Sequence, residues 1–235
     1  MEKFDYNLTD YNRIEIHLEK ARHFFNGGLE KESFITLKNF IEYYSKQIKT
    51  DKEKFCIISF FESELAIFYV TLGKFTQALE VISKYDNYYV SDINNYDLRL
   101  LALNHARAFF QINQNNLDQG LKIVSDSLDL LESYQKEKNV NSFFLRERIA
   151  YSEFLIALGY WMKGNLHIAN EFCSSSIKKF ALNQSVRLLQ ALNLQGTILR
   201  LSGDYTSSKE ILERAILLSL VESNQRIQPF LLNNL

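Results

Sequence analysis

The residues from which a metal site or a nucleophile would be built are few: His17, His23, His105 and His167, with Cys56 and Cys173. Two metal ligands on one helix share a face when they stand three or four residues apart. His17 and His23 are six apart, and so are His167 and Cys173. The cysteines have no histidine at a suggestive spacing and no serine sits in G-x-S-x-G, so neither a thiol nor a hydroxyl nucleophile has a triad around it. Neither G-x-x-x-x-G-K-S/T nor G-x-G-x-x-G occurs, which removes a phosphate cradle and nucleotide hydrolysis. The acidic residues fall mostly on turn-adjacent and solvated helix faces. The expectation is a non-catalytic chain with no cofactor and no metal, its two cysteines buried as free thiols.

What remains is chemistry of binding. Tyr151, Phe154, Leu158 and Trp161 stand at i, i+3, i+7 and i+10, one stripe along a helix. Two uses are open for it: packing against the adjacent element, or flooring an inner groove that receives an amphipathic helix or an extended peptide. The same spacing further along gives Gln190, Asn193, Thr197 and Arg200. Asn and Arg side chains on an inner surface hydrogen-bond a ligand's backbone or carboxylate, Arg bidentately. Asn104, His105 and Arg107 precede the aromatic stripe, and Arg146 with Arg148 stands at its entry. The alternative for each is a solvated helix face with partners such as Glu147 or Glu153. As a set, Asn104, His105, Arg146, Tyr151, Phe154, Trp161, Asn193 and Arg200 sketch a groove that is apolar in the middle and polar or basic around it.

The elements that must position these residues repeat. One proline, Pro229, stands in 235 residues, so nothing interrupts helices over the first 228 positions. Five of the eight glycines, at 27, 28, 73, 164 and 203, mark a recurring turn. Gly27, Gly73, Asn115, Gly164 and Gly203 lie 46, 42, 49 and 39 residues apart, a period that suits a helical hairpin. An apolar helical pattern precedes each turn and an amphipathic one follows it. The expected hairpins run roughly over 11–49, 54–89, 94–137, 142–181 and 184–221, followed by a terminal segment 222–235, within a single repeat domain over 1–235. A lone hairpin cannot cover its apolar faces, so neighbours stack into a quasi-linear, right-handed, all-α solenoid. The segments 87–97 and 135–142, rich in Asn, Asp, Lys and Ser, read as loops without function.

A small residue stands seven before each turn (Ala66, Ala108, Ala157, Gly196), an aromatic or leucine two after it (Phe75, Leu117, Leu166, Tyr205), and a small residue three further (Ala78, Gly120, Ala169, Ser208). Where two helices meet backbone to backbone only Gly, Ala or Ser fits. This pattern resembles the tetratricopeptide repeat (TPR) over roughly residues 20 to 221, although the intervals exceed the usual repeat of ~34 residues and the customary proline between repeats is absent. Near the C-terminus, Leu212, Glu213, Arg214, Ala215, Leu218, Arg226, Pro229, Phe230 and Leu231 are similar to the last repeat of the helical sensor region in MalT-like, ATP-binding LuxR-family transcription regulators. That resemblance implies an effector-sensing region whose concave groove receives an inducer, a peptide or a protein. No nucleotide-binding domain precedes the repeats and no helix-turn-helix follows Leu235, so the expectation is a sensor region of a bacterial regulator. The other expectations are a stand-alone scaffold or adaptor, and a peptide-pheromone receptor lacking its DNA-binding domain.

Composition bounds the partners. Lysine plus arginine number 27 against 28 acidic residues, which gives no field to draw the chain to nucleic acid or an anionic membrane. No apolar run reaches the ~18 residues of a membrane helix, so a cytoplasmic protein is expected. Uncapped solenoid ends leave room for a homo-oligomer.

Overall fold

The computed structural model describes residues 8–47, 51–85, 98–139 and 142–235. Its helices are α1 (Leu8–Asn26), α2 (Glu30–Gln47), α3 (Asp51–Thr71), α4 (Phe75–Ser83), α5 (Leu98–Asn113), α6 (Leu117–Lys138), α7 (Phe143–Met162), α8 (Leu166–Asn183), α9 (Leu188–Leu201), α10 (Tyr205–Val221) and α11 (Gln228–Asn234). No strand occurs among the described residues. Of the two segments expected as loops, 87–97 lies outside the described residues, and 135–138 is the last turn of α6 rather than a loop.

The hairpin turns share one backbone solution. Gly28, Gly73, Gly164 and Gly203 take φ of 81°, 70°, 78° and 85°, and Asn115 takes 61° at the matching place. At the Gly73 turn, Gly73 N–H donates to Val70 O at 3.0 Å and Lys74 N–H reaches back to Tyr69 O at 2.8 Å. The left-handed residue thus satisfies carbonyls that a helix end leaves open. Asparagine tolerates that backbone better than most residues, which lets Asn115 stand in for glycine. Asn165 and Asp204 then cap the following helices, their side chains accepting from Ile168 N at 3.4 Å and Ser207 N at 3.1 Å.

The two helices of each hairpin cross at small residues twelve apart: Ala66 and Ala78, Ala108 and Gly120, Ala157 and Ala169, Gly196 and Ser208. A Cβ on Gly120 would stand 2.7 Å from Ile112 Cγ1 and 3.1 Å from Ala108 O, and one on Gly196 only 2.6 Å from Leu212. Ser208 Oγ uses the same closeness to donate to Gly196 O at 2.8 Å. The first hairpin obeys the rule too, since Ser33 Oγ donates to Ala21 O at 2.9 Å across its crossing.

Successive hairpins stack through a layer of first helices (α3, α5, α7, α9) and a layer of second helices that wedge against the next first helix. Their apolar side chains merge into one continuous core from Ile14 to Ile198, and a small second core of Leu189, Leu192, Leu212, Ala215 and Leu231 joins α9, α10 and α11. A fully buried Leu or Phe contributes roughly 1.5–3 kcal/mol, so stacking rather than any single hairpin stabilises the array.

The solenoid coils tightly enough that its first hairpin meets later ones. Helix α1 packs on α3 and also on α7, where Phe144 N–H donates to Asn12 Oδ1 at 3.1 Å. The turn at 222–227 returns to the first hairpin. Arg226 N–H donates to Asn26 O at 2.9 Å, its Nε to Phe25 O at 3.0 Å and its guanidinium to Glu30, while covering the Phe25 ring at 4.2 Å. Asn26 Nδ2 reaches Val186 O at 3.4 Å. Nearest-neighbour stacking leaves the superhelical rise unspecified, and these long-range polar contacts fix it.

Candidate functional site

Coiling leaves a half-open cavity of about 450 Å³ on the inner side of the array. Its wall comes from the inner helices at one repeated spacing: Glu64, Ile67 and Thr71 from α3, Tyr151, Phe154, Leu158 and Trp161 from α7, Gln190, Asn193 and Thr197 from α9, and Ile227, Phe230 and Asn234 beginning just before and along α11. The short terminal helix therefore occupies the place of a further inner helix. It is tied there by Asn234 Nδ2 donating to Asn193 Oδ1 at 2.9 Å and by Leu231, which is buried. Phe25 and Phe68, stacked at 4.0 Å and 4°, complete the wall on the α1 side.

The floor is ionic. Glu64 accepts Arg187 Nη2 on both oxygens at 2.9 Å and Arg22 Nη2 at 2.6 Å. Arg22 Nη1 also binds Glu15 and Glu19. Arg148 holds Glu15 Oε2 through Nε at 3.0 Å and Nη2 at 2.6 Å. Glu147 accepts from Ser185 Oγ at 2.9 Å, Asn183 Nδ2 at 3.3 Å and Arg187 Nη1 at 3.5 Å. Arg187 lies 3.8 Å above the Tyr151 ring. These groups come from α1, α3, α7 and the turn between α8 and α9, so the network that floors the cavity also ties the first hairpin to later ones.

Burial alone would raise the Glu64 carboxyl, yet Arg187 and Arg22 hold it down at about 2. Glu147 is different: burial, with Glu19 and Glu15 nearby, pushes it up to about 7 against the pull of Arg187 and Arg22. Burial, reinforced by Arg148 and Arg187, lowers His105 well below the ordinary histidine range. Ser152 Oγ donates to Arg148 O at 3.1 Å, so the 2.7 Å contact between His105 Nε2 and Ser152 Oγ makes Nε2 the protonated nitrogen. Burial raises Tyr151 to about 12 and Cys173 to about 12, which leaves the thiol inert. The Cys56 side chain lies outside the described residues.

The structure brings together four of the eight residues that the sequence singles out. Tyr151, Phe154, Trp161 and Asn193 stand on the cavity wall. Tyr151 and Phe154 are at the same time buried in the core, so the aromatic stripe packs against its neighbours and lines the cavity with the same residues. The other four stand apart from the wall. His105 is fully buried against Ser152 and Tyr151, and Asn104 donates to Ser127 Oγ at 3.2 Å, so both serve packing between α5, α6 and α7. Arg146 Nε is engaged with Asn183 Oδ1 at 2.8 Å, and Arg200 is exposed at the end of α9. Sequence reasoning missed the floor, having placed acids on solvated faces and Glu147 among outward partners. A signal was present: Glu64 stands in "FFESELAIFYV", a helix apolar on every side, where a carboxylate has no solvated face to occupy.

Chemically, the site offers aromatic faces, neutral amides and saturated charges. Gln190 donates its backbone N–H to Arg187 O at 3.1 Å, while its side-chain amide stands on the cavity wall, and Trp161 buries its Nε1–H without a partner among the described residues. The three carboxylates of Glu15, Glu19 and Glu147 approach one another, but guanidinium groups answer them.

No family model matches the chain, and no curated protein matches it. Solved structures do. PlcR of Bacillus thuringiensis, in complex with the peptide PapR7 and DNA, is similar over 94% of this chain and 75% of its own, at 14% identity and a TM-score of 0.68. A Rap protein complexed with Competence and Sporulation Factor is similar over 92% of this chain and 55% of its own, at 15% identity and a TM-score of 0.63. A putative kinesin light chain with nearly identical TPR-like repeats, from Podosopora anserina, follows at 16% identity and a TM-score of 0.50, over 89% of this chain and 95% of its own. The chain has the TPR-like α-solenoid fold. No helix among the described residues is long and apolar enough to cross a membrane.

Proposed function

We propose that this chain is a non-catalytic, cytoplasmic peptide-binding regulatory domain, a single repeat domain over 1–235, whose ligand sits in the cavity among α3, α5, α7, α9 and α11. The observation that carries the reading is the cavity itself: an aromatic middle ringed by uncharged amides, large enough for a ligand of a few residues. Amide side chains such as Gln190 and Asn193 pair with a peptide backbone, and aromatic faces receive its apolar side chains. The fold likeness to PlcR and Rap, each solved with a peptide, supports the same reading. The regulatory output would pass through a further segment or a partner protein.

The MalT-like reading is the second one, and it rests on the C-terminal residues. In this chain Leu212, Ala215 and Leu231 form the second core and Arg226 staples the first hairpin. Those packing duties account for the residues without an inducer, so the peptide reading stands ahead. Trp161, the sole tryptophan, reports on the wall. Titration of the chain with fractionated peptides from its source cells should shift Trp161 emission, and Gln190→Ala or Asn193→Ala should each weaken the active peptide by roughly five- to tenfold, the worth of about one hydrogen bond. Binding of a non-peptide inducer with both variants indifferent would overturn the reading in favour of the MalT-like one.

A further inference from the structure

We propose that the cavity selects a peptide segment made of uncharged side chains, because the ionic floor is saturated within itself and offers no counter-charge to a ligand. The inference rests on the peptide-binding reading above and deepens it.

Among the described residues, the charged groups that border the cavity, Arg22, Glu64 and Arg187, are each ion-paired within the floor, and only the buried Arg22 Nε lacks a partner. Glu64 spends both oxygens on Arg187 and Arg22, and Arg22 spends its other terminal nitrogen on Glu15 and Glu19. Arg187 is further shielded by the Tyr151 ring beneath its guanidinium and by Glu147 beside it. Three guanidinium groups thus face four carboxylates, one of which titrates near neutrality, and the floor carries at most a single negative charge. Arg22, Glu64 and Arg187 are each at least 96% buried, so they cannot swing out to meet a new ion without leaving a buried charge behind.

Above the floor, the described residues of the wall provide aromatic and aliphatic faces and uncharged hydroxyls and amides, among them Thr71, Asn113, Gln190 and Asn193. A peptide backbone satisfies such groups. A carboxylate or an ammonium entering the same space sheds its water and gains no partner of opposite sign. Selection therefore works by rejection of charge as much as by attraction of apolar side chains.

The test uses the whole chain and three pools of blocked tetrapeptides, N-acetylated and C-amidated, drawn from Leu, Ile, Val, Phe, Ala, Asn and Gln. One pool is wholly neutral, the second carries one Asp and the third one Lys. Binding is read by native mass spectrometry and by Trp161 emission. The neutral pool should yield binders, and both charged pools should bind about a hundredfold more weakly, the cost of an unpartnered charge at a buried site. Glu64→Gln strips the arginines of their shared counter-ion, and in that variant the Asp pool should gain at least about tenfold on the Lys pool. Charged pools that bind within threefold of the neutral one would overturn the rejection of charge and leave peptide binding standing. Absence of binding from all three pools would overturn both.

Discussion

The outer spine of the array and its inner floor are held by opposite means. Along the spine, each hairpin closes through small residues twelve positions apart, with serine or bare backbone at the crossing and left-handed residues in the turns. In the floor, partners lie far apart in sequence: Arg22 with Glu64, Arg148 with Glu15, and Arg187 with Glu64. The spine is repetitive, local and made of contact. The floor occurs once, joins α1 and α3 to α7 and the turn before α9, and is made of charge. A periodic array can extend without limit, and the non-repeating ionic cluster is what floors a concave site in this one.

The difference can be broken from either side. Glu64→Ala should have the largest effect, since it leaves Arg22 and Arg187 facing each other without their shared carboxylate. A loss of about 3–5 kcal/mol in denaturant unfolding is expected. Hydrogen exchange should locate that loss first in α1 and in the turn between α8 and α9, with the hairpin crossings least affected.

Glu147→Gln sharpens the electrostatic side of the comparison. The folded carboxyl titrates at about 7 and the free one near 4.5. Between those values the folded chain keeps a proton that the unfolded chain has released, so stability from this group falls as pH rises through that window and stays low above it. Glutamine keeps the neutral form at every pH. The stability of the variant relative to the parent should therefore climb between pH 4.5 and 7, by up to about 3 kcal/mol. Taking the difference cancels His105, which is neutral in the folded chain and acts in the other direction. A difference that is flat with pH would show that Glu147 is ionised throughout.

On the spine, Gly196→Ala places a Cβ 2.6 Å from Leu212. A cost of about 1–3 kcal/mol is expected, from overpacking alone. Combined with Glu64→Ala it should add to within roughly 0.5 kcal/mol, because the two sites share no partner. Strong coupling in thermal unfolding would mean that the spine and the floor are one unit.

Much of the architecture is written in the sequence. Helical spacing, the five turns and the small residues at the crossings are local patterns, and local patterns survive translation into structure because each is satisfied by residues within one hairpin. Tyr151, Phe154, Trp161 and Asn193 were legible for the same reason: the wall repeats i, i+3, i+7 on successive inner helices. Asn104 and His105 share that inner helical layer but are turned into α6 and α7 by Ser127 and Ser152, partners that spacing along α5 does not reveal. Arg146 and Arg200 are basic and well placed along their helices, yet they end beside Asn183 and in solvent.

By itself the sequence determined the all-helical repeat and the composition of its inner faces, since both follow from short-range periodicity and from the backbone freedom of glycine and asparagine. The coiling, the cavity and its ionic floor were decided by the tertiary structure alone. The pitch of the stack brings residues as far apart as Arg22 and Arg187 onto the same carboxylate, and that distance in sequence carries no period to read.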